Sequence, residues 1–217
     1  VLTVAVSAGV AAGAGPSQSP VVVQAVTLPI SGCPAGSVAQ NIAPDNQAFT
    51  LLFDSFVVEV GPGVAASEGS KDCRIDTTLK APEGKSVAVV SLDYRGFVSL
   101  EAGVSAKLTV NFDSPEDENK NKNSRNRDED EEGPQLVTAL AKRFVGPLSQ
   151  DYHLATRIPA KEVNWSTCDG TGHLRIHVTL AVHGAGQGLM TLDSLDGEVV
   201  QGGPGKLKFK VHLRPCP

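Results

Sequence analysis

The amino-acid sequence predicts an all-β chain: a single β-sandwich, of which a jelly roll is one variant, stabilised by two disulfides. Three observations carry this. Apolar and polar residues alternate at period two through about a dozen short segments rich in Val, Leu, Thr and Ser. Gly and Pro interrupt those segments at short intervals, 22 Gly and 14 Pro in 217 residues, and no segment keeps a helical period. Four widely spaced cysteines add a covalent constraint. With 41% hydrophobic and 20% charged residues the chain can bury a real core, and its length suits one large β domain.

Residues 1–15, VLTVAVSAGVAAGAG, are apolar, small and uncharged. They read as the remnant of a secretory signal peptide, with Ala12-Gly13-Ala14 as the small-x-small cleavage pattern. The alternation of VLTVAVS offers a rival reading, an N-terminal strand added to a sheet. The β domain then spans 16–217. VVVQAVTLP is its first strand, followed by the turn-rich SGCPAGS and the strand SVAQNIA. Phe49–Val60, FTLLFDSFVVEV, reads as one strand with Asp54 near its centre, stopped by Gly61-Pro62-Gly63. CRIDTTLK and KSVAVVSLDY flank Ala81-Pro82-Glu83-Gly84, a hairpin signal because Pro pre-sets φ and Gly relieves the turn. VSAKLTVNF alternates cleanly, with Val104, Ala106, Leu108, Val110 and Phe112 expected inward.

Residues 114–134, SPEDENKNKNSRNRDEDEEGP, have no apolar side chain except two prolines and carry charge of both signs. Such a segment cannot bury enough surface to offset its ordering entropy, so a disordered, solvated loop is expected. Its acidic run from Asp128 to Glu132 could alternatively serve as a weak cation- or polybasic-partner tail. Strands resume with QLVTALAKRFVGP, HLRIHVTLAVHG, LMTLD, GEVV and GKLKFKVHLRP, with Asp196-Gly197 expected as a hairpin turn.

Composition also excludes function classes. The net charge is −5 and no Lys/Arg stripe exists to release counterions from phosphates, so nucleic acid is not an expected partner. No run reaches the roughly 18 apolar residues of a membrane-spanning helix. Cys33, Cys73, Cys168 and Cys216 contain no C-x-x-C pair, which argues for disulfides rather than a metal or redox motif. Three connectivities are open; pairing by proximity would close loops of about 40 and 48 residues, worth roughly 4 kcal/mol each. Asn164-Trp165-Ser166 satisfies the N-glycosylation pattern, with Asn164 facing out.

Candidate sites are few. His173, His177 and His183 share one face of a strand, but consecutive members lie about 13 and 20 Å apart, too far to share a metal ion. They read as a polar outer face, with Arg175 and Thr179 among them, over an inner face of Leu174, Ile176, Val178, Leu180 and Val182. Asp54, Asp93, Asp193, Asp196 and Glu198 are the available acids, and no G-x-S-x-G, H-E-x-x-H or phosphate-binding Gly loop is present. No cofactor or metal is therefore expected. Asp93-Tyr94-Arg95-Gly96 is the most specific polar cluster. It is either a structural ion pair, Arg95 with Asp54 or Asp93, or an exposed aromatic-cationic patch for sugar or protein.

The succession SGCPAGS, FTLLFDSFVVEVGPG, KDC, LDYRGFVSLEAGV, FVGP, Trp165…Cys168 and LDSLDG resembles the secreted family known as domain of unknown function 4360, from about Val21 to Cys216. The resemblance implies a secreted, disulfide-bonded β domain, with Cys33 and Cys73 as the family's first two cysteines and Cys168 and Cys216 its last two. It also implies that Asp54, Asp93, Arg95 and Asp193 belong to a shared pattern. The acidic 114–134 loop and the His-bearing strand depart from that pattern. The family supplies no catalytic residues.

The reading is a secreted, non-catalytic surface, wall or matrix component that contacts glycan or extracellular protein, with homo- or hetero-assembly through the N-terminal strand as one route. Alternatives are a polysaccharide-acting enzyme using Asp54, Asp93 and Asp193, or a secreted inhibitor or effector.

Overall fold

The structure, a computed structural model, describes residues 22–28, 32–33, 36–44, 48–89, 92–113, 137–156, 168, 170–198 and 211–216. The 1–15 segment, the 114–134 loop and the Asn164 sequon lie outside these. Alternation drives almost every described element into a strand. In chain order they are β1 (Val22–Thr27), β2 (Val38–Ile42), β3 (Ala48–Phe53), β4 (Val57–Val60), a 3-10 turn at Ala66–Gly69, β5 (Ser70–Lys80), β6 (Lys85–Val89) and β7 (Asp93–Leu100). Then come β8 (Ser105–Asp113), β9 (Val137–Val145), β10 (Leu148–Ala155), β11 (Thr171–His183), β12 (Gly188–Thr191), β13 (Ser194–Glu198) and β14 (Val211–Pro215).

Three long alternating segments, β5, β8 and β11, form the centre of a five-stranded sheet ordered β1-β5-β11-β8-β9. Their antiparallel register stacks like with like: Ile75 opposite Ile176 opposite Phe112, and Cys73 opposite Val178 opposite Val110. These side chains and Val104, Ala106, Leu108, Leu180 and Val182 are all buried, as the alternation predicts. A second sheet runs β2-β3-β13-β7-β12-β4, with β10 on the free edge of β7. It contributes Phe49, Leu51, Phe53, Val58, Tyr94, Val98, Tyr152, Met190 and Leu195 to one core shared with the first sheet. At roughly 1.5–3 kcal/mol per fully buried large side chain, this shared core is the main source of stability.

The segment expected as one strand over Phe49–Val60 is two. Phe53 and Phe56 are both buried, their rings 5.7 Å apart, and a spacing of three cannot keep both on one face of a regular strand. The chain therefore breaks at Asp54-Ser55. Its neighbour breaks at the same level, because Leu192 and Leu195 are likewise both buried three residues apart. Backbone bonds lock the two breaks together: Phe53 N–H donates to the Asp193 carbonyl (2.9 Å) and Leu192 N–H to the Phe56 carbonyl (3.0 Å).

Two expected hairpins are also absent. Asp196-Gly197 lies inside β13, opposite Thr50 and Phe49, because the Phe49 ring occupies the space where a Cβ at Gly197 would sit. Ala81–Gly84 does turn the chain, but β6 pairs with β14 instead of returning along β5, whose edges are already taken by β1 and β11. The disulfides resolve as Cys33–Cys73 and Cys168–Cys216. The first ties the stretch before β2 to central strand β5, and the second ties the end of β14 to the chain entering β11.

Candidate functional site

In β7 the buried residues are Tyr94, Gly96, Val98 and Leu100, so Asp93, Arg95, Phe97 and Ser99 point away from the core. Register extends each outward position into a row across the second sheet. One row runs Thr50, Asp196, Asp93, Ala155. The next runs Leu52, Ser194, Arg95, His153. At the far end of the face a row runs Glu59, Leu189, Ser99, Ser149.

The first two rows form a charge network. Asp196 accepts a hydrogen bond from Thr50 Oγ1 at 2.8 Å and lies 3.8 Å from Arg95 Nε. Asp93 lies 3.2 Å from His153 Nε2. Asp93 and Asp196 are direct cross-strand partners, an arrangement that is destabilising for like charges unless each has a cation beside it. Arg95 meets that need for Asp196, and His153 places an imidazole nitrogen beside Asp93. Neither of the two pairings expected for Arg95 forms, since its carboxylate is Asp196. Asp54 instead sits exposed at the strand break, where its own N–H donates to the Ser37 carbonyl at 2.9 Å. Asp193, also exposed, occupies the matching break and donates its N–H to the Arg95 carbonyl at 2.8 Å.

The exposed aromatic-cationic patch is corrected outright. Arg95 is exposed but Tyr94, its neighbour along the strand, points the other way and is fully buried. Burial pushes its phenol well above the usual range, opposed in part by Thr156 and reinforced by Asp93. Tyr152 is buried too, its hydroxyl donating to the Thr191 carbonyl. Burial first, and then the nearby Asp193 carboxylate, raise its phenol far above the ordinary value.

The Glu59–Ser149 row floors an open groove of about 1000 Å³. Turns wall it: Gly61, Pro62 and Val64 after β4, Glu101 and Ala102 after β7, Pro147 before β10, and Gln187 before β12. Two of these turns are clipped together. Gln187 N–H donates to Glu101 Oε2 at 2.7 Å, and Glu101 N–H donates to the Gln187 carbonyl at 2.9 Å. Gly146 packs directly on the Glu101 carbonyl, where no Cβ would fit. The groove thus presents prolines and Leu189 beside carboxylates, hydroxyls and an amide. None of these positions stood out in the sequence; only the outward phase of VVEV and of FVSLE marks Glu59 and Ser99, and nothing local says they are neighbours.

The outer face of the first sheet carries the histidines as a polar face, with His173 Nδ1 3.3 Å from Thr78 Oγ1. Arg175 departs from that expectation: it is buried, with Nε 3.1 Å from Asp76 Oδ1. Among the described residues no three His, Cys, Asp or Glu side chains converge as a metal site, and no helix is long and apolar enough to cross a membrane.

Comparison with known proteins places the chain. An uncharacterized secreted protein of Arthroderma benhamiae is 31% identical over 188 residues, covering 85% of this chain and 69% of the relative. Among solved structures, the module TmCBM61 in complex with β-1,4-galactotriose aligns over 83% of this chain and 90% of its own at 13% identity, with a TM-score of 0.26. The CBM22-1–GH10 modules of Clostridium thermocellum xylanase 10B complexed with xylohexaose align over 86% of this chain and 30% of theirs at 9% identity, TM-score 0.30. Scores that low bear on neither ligand nor activity. The secreted relative and the two disulfides make this a secreted protein. The family model described as domain of unknown function (DUF4360) matches residues 19–216, and the chain belongs to that family.

Proposed function

We propose that the protein is a non-catalytic binder of extracellular glycan, acting as a surface, wall or matrix component through the outer face of its second sheet. The groove over Glu59, Leu189, Ser99 and Ser149 carries this reading. A sugar ring has an apolar C–H face and a rim of hydroxyls, and the groove offers Pro62, Pro147 and Leu189 to the first and Ser99, Ser149, Gln187, Glu59 and Glu101 to the second. It is open and built on paired strands, so a chain can lie across it with little ordering cost to the protein.

The enzyme alternative needs a free acid pair. The register offers Asp93 with Asp196 rather than Asp54, Asp93 and Asp193 together, and each of that pair already has a basic side chain beside it, His153 or Arg95. Binding is the better use of this face. Depletion of the protein by suspensions of β-glucan, chitin and xylan tests it, with Ser99→Trp to fill the groove floor. At least one polysaccharide should retain the wild type, and Ser99→Trp should weaken that retention about tenfold or more. Equal retention of the variant would remove the groove from the account, and no retention by any polysaccharide would remove glycan binding.

A further inference from the structure

We infer that the groove discriminates glycans by charge, taking chains of protonated amino sugars in preference to neutral ones and rejecting uronate or sulfated chains. This rests on the groove being the glycan site. Among the described residues the lining contains Glu59 and Glu101 and no Lys, Arg or His. A uronate entering it would lose water without gaining a cation from these residues and would meet two carboxylates, which is the costly direction of desolvation.

The two carboxylates are placed for a polymer. Glu59 projects from β4, two strands from Ser99 on β7, which sets them about 10 Å apart across the sheet, and Glu101 lies a further two residues along. That spacing is far beyond what one metal ion can bridge with ligand bonds near 2–2.6 Å. It suits cationic groups repeated along a chain. Glu101 is the better oriented of the two. Its Oε2 is held by Gln187 N–H at 2.7 Å, while Oε1 takes no hydrogen bond among the described residues and remains an acceptor. Glu59 makes no ion pair among the described residues. An ammonium at either carboxylate would therefore displace no cation supplied by the described residues.

Calorimetry with length-matched oligomers of glucosamine, N-acetylglucosamine and galacturonic acid tests this, on the wild type and on Glu59→Gln, Glu101→Gln and a control, Glu83→Gln, in the exposed turn before β6. Glucosamine oligomers should bind tightest and galacturonate weakest. Each groove substitution should weaken the glucosamine oligomer about two- to fivefold and leave the N-acetylated oligomer unchanged, as expected for solvent-accessible ion pairs. Raising salt should erase the preference. If galacturonate binds as tightly as glucosamine, or if Glu83→Gln weakens glucosamine as much as the groove variants do, the charge selection is overturned while glycan binding stands. If none of the three binds while β-glucan or xylan retains the protein in a Ser99→Trp-sensitive way, the amino-sugar preference alone is overturned. If nothing binds at all, both readings fall.

Discussion

Gly96 shows how closely the second sheet is fitted. A Cβ there would run into the Thr191 carbonyl and the Tyr152 hydroxyl, the two groups whose hydrogen bond joins β10 to β12 across β7. Gly96→Ala must push those strands apart, and a loss of about 2–3 kcal/mol is expected in urea denaturation. Tyr152→Phe removes only the bond and should cost about 1 kcal/mol. A Gly96→Ala variant as stable as wild type would show that the strands move freely. The inward phase of this strand was legible. Leu92, Tyr94, Gly96, Val98 and Leu100 alternate without a slip, so Tyr94 could have been placed inside. Only the charges of Asp93 and Arg95 on either side of it supported the alternative of an exposed Tyr94, and those two side chains do point away from the core. The burial of Arg175 had no such local cue, because Asp76 lies 99 positions away.

Strand breaks are the main feature that element-level reading missed. The alternation was present on both sides of Asp54, but its phase shifts by one between Phe53 and Phe56, and the same shift separates Leu192 from Leu195. A scan for apolar spacing of three inside a strand run would have found both. It would not have shown that the breaks lie side by side, since that depends on pairing between segments far apart in the chain. Asp196-Gly197 misled for the opposite reason. The pair has the sequence of a turn, yet the packing of Phe49 needs a glycine within the strand. The disulfides act at this scale as well. Cys33–Cys73 and Cys168–Cys216 close loops of 40 and 48 residues. Replacing either pair by serine should lower stability by about 4 kcal/mol, read as a fall in the denaturation midpoint with folding of the remainder retained. A loss under about 1 kcal/mol for the first pair would mean that the stretch before β2 needs no tether to β5.

The molecule as a whole has two tyrosines, and both are in the core. Below pH 10 the folded and unfolded chains hold both phenolic protons, so stability does not depend on them. Above it the unfolded chain releases two protons that the folded one keeps. Stability should then fall with rising pH, by up to about 2.7 kcal/mol per unit. Tyrosinate absorbance should stay silent until the protein unfolds and then appear for both residues together; early titration of one would place it at the surface. Strand content and most core faces followed from alternation, whereas the groove did not. Its floor comes from four strands and its walls from four turns, and only the sheet order makes them neighbours. The most direct test of that assembly as a glycan site is the change in backbone amide shifts when a polysaccharide fragment that retains the protein is titrated in. The account predicts shifts concentrated at Glu59, Ser99, Glu101, Ser149, Gln187 and Leu189. Shifts confined to the His-bearing face of β11, or none at saturating fragment, would contradict it.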